Sequence, residues 1–235
     1  MRTAVYAAKP GQGTTVAAVL LALEVARQPD GPDRVVLADF AGGIDDLIPP
    51  QRSSAGIAEW LAGDRTAAGL DSLVEPLDGR LGLLRSGRGP WPNPEGGAAA
   101  VLAGWLAEQH IVIDAGTLAA DPHTGGTPAQ KLAREIALQA EQRILVTQPC
   151  RLALIRAASG APLPAPDTVV VVSQPDRRLS TEDIERAVGR PIAATIPWSS
   201  HIAAAADAGE LQAVDLARLT DPAPRMPAEG QCAGE

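Results

Sequence analysis

The stretch of the sequence with the clearest chemical potential lies near the N-terminus, where an apolar run at residues 3–8 passes directly into a glycine-containing loop. A helical pattern begins at residue 14, so the loop joins a strand to a helix. Glycines at such a junction let backbone N–H groups turn inward, and the helix N-terminus adds partial positive charge. The segment therefore predicts a phosphate cradle made of Lys9, Pro10, Gly11, Gln12, Gly13, Thr14 and Thr15.

The loop does not match the general phosphate-loop pattern GxxxxGK[ST]. Ala8 stands where that pattern has its first glycine, and Thr14 stands where it has its lysine. By that pattern alone, the residues fit a plain strand-to-helix turn equally well. The rest of the chain has to decide between the two interpretations.

The elements that would position this loop alternate along the chain. Short apolar runs predict strands at residues 3–8, 34–39, 80–85, 110–114, 143–147, 168–173 and 192–196. Helical patterns lie between them, at residues 14–27, 56–62, 65–75, 95–108, 128–140, 150–159, 181–188 and 201–208. This rhythm predicts an α/β fold with a single doubly wound, mostly parallel sheet and helices on both faces. We expect one domain over residues 1–212 and a Pro/Gly-rich, disordered tail over 213–235.

Several of these segments resemble the motifs of the ParA/MinD group of deviant-Walker P-loop ATPases, whose loop reads KGGxGK[ST]. In that loop Lys9 matches the signature lysine, Gly11 and Gly13 match glycines, and Thr15 matches the hydroxyl residue that contacts magnesium. The segment VVLADFAGGIDDLI resembles the second-strand motif, with Asp39 at its first aspartate. HIVIDAGT resembles the Walker B strand, with Asp114 as the acid near magnesium. The resemblance covers about residues 1 to 212 in the family's order.

Two further segments extend the resemblance toward the C-terminus. ILVTQPCRLALIRA is similar to the family's fifth strand and following helix, and IAATIPWSSHIAAAADAGEL is similar to its closing segment. There an IP dipeptide precedes the base-binding turn, which implies nucleotide contacts from Pro197 and Trp198. Trp198 equally suits a position covering the end of the sheet. The resemblance implies ATP or ADP with magnesium as the cofactor, with Thr15, Asp39 and Asp114 near the metal.

Three substitutions separate this chain from the active pattern. Thr14 replaces the second lysine of the loop, Pro10 replaces a glycine and removes one N–H donor, and Ala41 replaces the aspartate that positions the attacking water. Phosphoryl transfer to water needs charge on the phosphates and an oriented water. We therefore expect weak or no ATP hydrolysis, with no catalytic residue assigned.

Lys9 and Lys131 are the only lysines, and arginine supplies the other positive charges. A lysine kept at the signature position implies, by the resemblance, a reach across a homodimer interface to the partner's nucleotide. The chain is thus interpreted as a degenerate, TadZ/CpaE-like member that acts as a dimeric positioning or scaffold factor for an unidentified protein partner. The alternative interpretation of Lys9 is a solvent-exposed lysine beside a loop with no functional role.

The alternative function is an active ParA-like ATPase that moves DNA or protein cargo in partition, conjugation or pilus localisation. Arginine pairs at 151/156 and 177/178 would then contact DNA, although both pairs also suit a solvated helix end or turn. The net charge of -8 does not favour general DNA binding. The sequence has neither a long apolar run nor a basic amphipathic C-terminal helix, so we expect a cytoplasmic protein without a membrane anchor. Trp91, in a Pro-flanked loop, is expected to be an exposed protein contact.

Overall fold

A parallel sheet organises the chain in a computed structural model that describes residues 1–50, 55–63, 65–93, 96–118, 126–158, 163–175, 177 and 179–216. The strands are β1 (Arg2–Ala7), β2 (Val35–Asp39), β3 (Glu75–Asp78), β4 (Leu81–Leu84), β5 (Ile111–Thr117), β6 (Gln142–Thr147), β7 (Thr168–Val172) and β8 (Ile192–Ile196). Their order in the sheet is β3-β4-β2-β5-β1-β6-β7-β8. All neighbouring pairs are parallel except β3–β4, which is antiparallel. The predicted fold class is confirmed.

Helices connect these strands and cover the sheet. They are α1 (Thr14–Arg27), α2 (Ile44–Leu47), α3 (Ile57–Ala62), α4 (Ala67–Leu73), α5 (Gly96–Ala107), α6 (Pro128–Gln139), α7 (Arg151–Ala158), α8 (Thr181–Val188) and α9 (Ser200–Asp207), followed by a 3-10 helix at Leu211–Ala213. Local sequence fixes several helix starts. The Thr127 and Ser180 hydroxyls accept hydrogen bonds from backbone N–H groups in the first turns of α6 and α8. No described helix is long and apolar enough to cross a membrane.

The two faces of the sheet carry separate apolar layers. One layer packs α1 against the strands, with Leu20 and Leu23 buried. The other contains Trp60 and Trp105, which are 2% and 3% exposed, among side chains of α3 to α6. Central strands such as β2 are buried along their whole length, as parallel strands covered on both sides must be.

The structure corrects two sequence-based expectations and adds one short helix. Residue 75, predicted to end a helix, instead begins β3, a four-residue strand at the sheet edge. The sequence of β3 contains Pro76 and two acidic residues and so lacks the apolar pattern that identifies a strand. Such short edge strands form because they pair with a neighbouring strand, not because their sequence is apolar. The four-residue α2 was not predicted. Trp91 is half-buried, not exposed, and its ring lies 5.9 Å from that of Phe40.

The C-terminal part of the described chain is anchored to α1. Leu211 and Val214 are buried, and the Arg27 guanidinium donates to the carbonyl oxygens of Gln212 and Val214 at 2.8 and 2.7 Å. Residues 217–235, which make up most of the predicted tail, lie outside the described residues. The boundary at residue 212 stays a prediction.

Candidate functional site

The loop between β1 and α1 lies at the carboxyl edge of the sheet, where β1 is flanked by β5 and β6. Gly11 and Gly13 have φ values of +74° and +81°, a region that glycine adopts without strain. A Cβ on Gly13 would also lie 3.3 Å from Cγ2 of Val172. The loop therefore requires glycine at position 13 for both its backbone conformation and its fit against β7.

Gln12 ties this loop to the end of β6. Its side chain is 1% exposed, and its Oε1 accepts a hydrogen bond from the backbone N–H of Gln148 at 3.0 Å. In return, Nε2 of Gln148 donates to the carbonyl oxygen of Gly11 at 3.0 Å. Sequence reasoning missed Gln148. The only available signal was its position directly after a predicted strand, at the edge where the loop had to lie.

The two threonines at the start of α1 have different surroundings. Thr14, in the place of the family lysine, is 8% exposed, whereas Thr15 lies against the loop that follows β2. A Cβ on Gly43 would come within 3.2 Å of the Thr15 hydroxyl oxygen. The lack of a side chain at position 43 thus leaves room around the Thr15 hydroxyl.

Asp39, the last residue of β2, lies beside Asp114 in the middle of β5. They are direct partners in the β2–β5 register. Oδ1 of Asp39 accepts hydrogen bonds from the N–H groups of Ala41 and Gly42 at 3.0 and 2.7 Å, and Oδ2 accepts from Ile44 N–H at 3.2 Å. Asp39 thereby organises the turn that carries Ala41.

Asp114 accepts fewer hydrogen bonds than Asp39. Its Oδ1 accepts the Gly116 N–H at 3.0 Å, but its buried Oδ2 has no hydrogen-bond partner among the described residues. Burial, and next the charge of Asp39, raise the pKa of Asp114 to about 7, against the opposing effect of the nearby Thr15 hydroxyl and the Gly116 N–H. Burial likewise raises the pKa of Asp39 to about 6, although three backbone donors oppose it. In the described ranges, the hydrogen bonds that these two neighbouring buried carboxylates accept come from backbone N–H groups, and no ion pair reaches either of them.

A cavity of about 650 Å³ opens over this arrangement. It is lined by the loop, by the turn after β2, by the last residues of β5 and by the start of α6. The lining residues are Pro10, Gly11, Gln12, Gly13, Thr14, Thr15, Val16, Phe40, Ala41, Gly43, Asp46, Leu47, Ala115, Gly116, Thr117, Thr127, Ala129 and Gln130. Asp39 and Asp114 are at most 1% exposed and do not line the cavity themselves, but residues next to them in the chain do.

Three of the predicted nucleotide-binding residues do not line this cavity. The Lys9 ammonium group donates to the carbonyl oxygen of Pro10 at 3.0 Å. Pro197 lines a separate apolar groove of about 270 Å³ between α1 and β8. Trp198 is 54% exposed. Six of the predicted residues, Pro10 to Thr15, do converge on the cavity.

The residues around the cavity supply too few oxygen ligands to hold a divalent cation by themselves. They fit such a cation only if a bound ligand supplies further oxygen atoms to it. No group of three or more His, Cys, Asp or Glu side chains suited to a metal exists within the described ranges. The Thr15 hydroxyl and the unpartnered Asp114 oxygen nevertheless form the oxygen environment that magnesium prefers, since Mg²⁺ keeps waters and shares phosphate oxygens in such sites.

Solved structures of other proteins have the same fold. The MinD cell division protein of Aquifex aeolicus is 18% identical with a TM-score of 0.68, over 89% of this chain and 87% of that one. A ParA family ATPase from Chlorobium tepidum is 19% identical with a TM-score of 0.66, over 90% and 89%. The septum site-determining protein MinD of Pyrococcus horikoshii, solved with Mg-ADP, is 18% identical with a TM-score of 0.65, over 88% and 85%.

No family model and no curated protein matches the sequence. The structural likeness extends over about nine tenths of the chain. This chain therefore has the fold of the ParA/MinD ATPases.

Proposed function

We propose that the chain binds ATP or ADP with magnesium in the 650 Å³ cavity and acts as a positioning or scaffold protein with weak or no ATP hydrolysis. The observation that carries the proposal is the buried Oδ2 of Asp114, which has no hydrogen-bond partner in the described part of the chain and lies under a glycine loop that lines this cavity. Leaving such an oxygen without a donor is unfavourable unless a cation or a water completes the site.

Each part of the cavity has a role in this proposal. The backbone N–H groups of the loop and the N-terminus of α1 hold phosphate oxygens, since both present positive ends of dipoles. Thr15 supplies a hydroxyl to the cation, and Asp114 and Asp39 balance the cation's charge from below. Magnesium, when bound, neutralises charge on the phosphates.

Hydrolysis lacks two of its usual groups. Thr14 carries no charge and is buried, so it supplies no cation to the β and γ phosphates. Ala41 lines the cavity where the family's aspartate would orient water, and a methyl group accepts no proton. Loss of one lysine contact weakens ground-state binding by about 1 to 3 kcal/mol, so nucleotide binding survives the substitution.

We further propose a homodimer that meets through the cavity side of the molecule and recruits an unidentified protein partner in the cytoplasm. Leu152 and Ile155 on α7 are about half exposed, an unusual position for large apolar side chains. Gln148, three residues before α7, is hydrogen-bonded to the loop that carries Lys9: its N–H donates to Gln12 Oε1 and its Nε2 donates to the Gly11 carbonyl oxygen, both at 3.0 Å. The loop of Lys9 and the start of α7 are therefore neighbours. A TadZ/CpaE-like role in placing pilus machinery stays a prediction.

Exposed arginines favour the second candidate, an active ATPase that moves DNA. Arg151, Arg156 and Arg177 are exposed, and Arg178 lies outside the described residues. Salt-dependent DNA binding that requires ATP would support this alternative. DNA binding that does not depend on ATP, or the absence of DNA binding, would favour the scaffold.

Calorimetric titration with ATP and with ADP tests the proposal, in magnesium and in EDTA, with light scattering for the oligomeric state. We expect magnesium-dependent binding that Thr15→Ala weakens, and a dimer that Lys9→Ala loses. Thr14→Lys should raise affinity by about ten- to a hundredfold. The absence of binding by the wild-type chain would refute the proposal, and turnover comparable with active ATPases would refute the claim of weak hydrolysis.

A further inference from the structure

A buried guanidinium lies beside the cavity but is not part of it. Arg85 directly follows β4, and its side chain is 2% exposed. Nη1 donates to Oδ1 of Asp45 at 2.5 Å and to the carbonyl oxygen of Ile48 at 2.9 Å, and Nε donates to Oε2 of Glu75 at 3.0 Å. A buried charge is stable only where it is paired and hydrogen-bonded, so Arg85 and the groups it binds hold one another in place.

The partners of Arg85 belong to two different parts of the fold. Asp45 lies in α2, and Ile48 directly follows that helix, whereas Glu75 begins the edge strand β3. A helix of four residues has little stability of its own. The structure holds α2 at both ends: Asp39 accepts the N–H of Ile44, and Arg85 binds Asp45 and the Ile48 carbonyl.

The turn before α2 forms the wall next to Thr15 and Asp114. Gly43 lies so close that a Cβ there would approach the Thr15 hydroxyl at 3.2 Å. Ala41 packs on Gly116, where a Cβ would lie 2.7 Å from the Ala41 Cβ. A shift of α2 would therefore change the space around the Thr15 hydroxyl and beside Gly116, two residues after Asp114 in β5.

We propose that Arg85 is a positioning residue for the cation and phosphate end of the cavity, acting through Asp45 and α2. Arg85 itself does not line the cavity. The Arg85–Asp45 pair fixes the turn at residues 41–43 and thereby sets how tightly magnesium-nucleotide binds. This inference rests on the proposed nucleotide function but adds a residue that the sequence motifs do not include.

Asp45 and Glu75 provide a matched pair of test variants. Both carboxylates contact Arg85, and their side chains are 29% and 28% exposed. Asp45→Asn and Glu75→Gln each remove one charged partner, but only Asp45 connects Arg85 to the cavity wall. Titration with Mg-ADP should show affinity reduced by about tenfold or more in Asp45→Asn and within about twofold of wild type in Glu75→Gln, as for outer residues that orient metal sites.

Hydrogen exchange of the nucleotide-free protein gives a second readout. We expect the amides of residues 41–48 to exchange faster in Asp45→Asn and at the wild-type rate in Glu75→Gln, with urea unfolding of both variants as the stability reference. A change of net charge alone would alter affinity without altering this exchange.

The possible outcomes separate the two proposals. If wild type binds no nucleotide, the proposed function fails, and the exchange difference alone decides whether Arg85 holds the turn. Equal effects of the two variants on both readouts, or effects that follow only their urea stabilities, would overturn the positioning role of Arg85.

Discussion

Replacing Asp114 by asparagine should make the nucleotide-free protein more stable, although it removes a group from the candidate site. Asp114 is buried, and one of its oxygens has no partner among the described residues. Burial and the neighbouring Asp39 raise its pKa from 3.8 to about 7. A raised pKa means that the folded state disfavours the ionised carboxylate, so ionisation of Asp114 lowers the free energy of unfolding. This loss of stability is absent below pH 4, grows between pH 4 and 7, and is constant above pH 7.

The size of the effect follows from that difference. Raising the pKa of Asp114 from 3.8 to about 7 corresponds to roughly 4 kcal/mol of stability lost above pH 7, and to roughly 1.5 kcal/mol at pH 5. The Asp114→Asn variant removes this penalty, but its amide N–H group needs an acceptor and costs about 1 to 3 kcal/mol if none is found. We therefore expect a net gain of about 1 to 3 kcal/mol at pH 8 and a change between a loss of about 1.5 kcal/mol and a gain of about 0.5 kcal/mol at pH 5. Magnesium-dependent stabilisation by nucleotide should be lost.

Urea unfolding in EDTA at pH 8 and pH 5 measures this gain, and Asp39→Asn is the control. Asp39 accepts three backbone N–H bonds. The Asp39→Asn variant loses one of these acceptor oxygens as well as the charge, so we expect this variant to be less stable than Asp114→Asn. The reasoning is refuted if Asp114→Asn is less stable than wild type at pH 8, or if its gain does not grow from pH 5 to pH 8.

Three further variants test the surroundings of the site by urea unfolding. Gly116→Ala should lose about 2 to 3 kcal/mol, because its Cβ would collide with Ala41 at 2.7 Å and φ is +63°; Gly104→Ala in α5, with nothing within 4 Å, should instead be neutral or gain up to about 1 kcal/mol. Gln12→Ala should lose about 1 to 2 kcal/mol and speed amide exchange at residues 11–13, and unchanged exchange would contradict the role of its bond to Gln148. Glu59→Gln should lose about 1 to 2 kcal/mol at pH 7. Burial opposes the ionised form of Glu59, but the N–H groups of Gly56, Arg88 and Gly89 hold its pKa below the usual value. That stabilisation is present above pH 4.5 and is lost as pH falls through the lowered pKa, so a Glu59→Gln deficit that persists at pH 3 would argue against it.

Local sequence predicted the parts of the site that lie on one continuous segment. The apolar runs identified the central strands, since a strand buried on both faces has to be apolar along its length. The glycines of the first loop predicted its turn, and Gly11 and Gly13 do adopt positive φ values. Asp39 and Asp114 were chosen by resemblance to family motifs; Asp39 does end β2, whereas β5 continues three residues beyond Asp114.

Sequence by itself thus determined the fold class, the order of the parallel strands and the residues of the loop, but not β3 or α2. Tertiary structure alone decided the pairing of Asp39 with Asp114, the anchoring of Gln12 by Gln148, and the contacts of Arg85 with Asp45 and Glu75. The physical reason is that strand and helix patterns arise from neighbouring residues, whereas these contacts join segments 10 to 136 residues apart. Their energies depend on register and burial, which exist only once the sheet has formed.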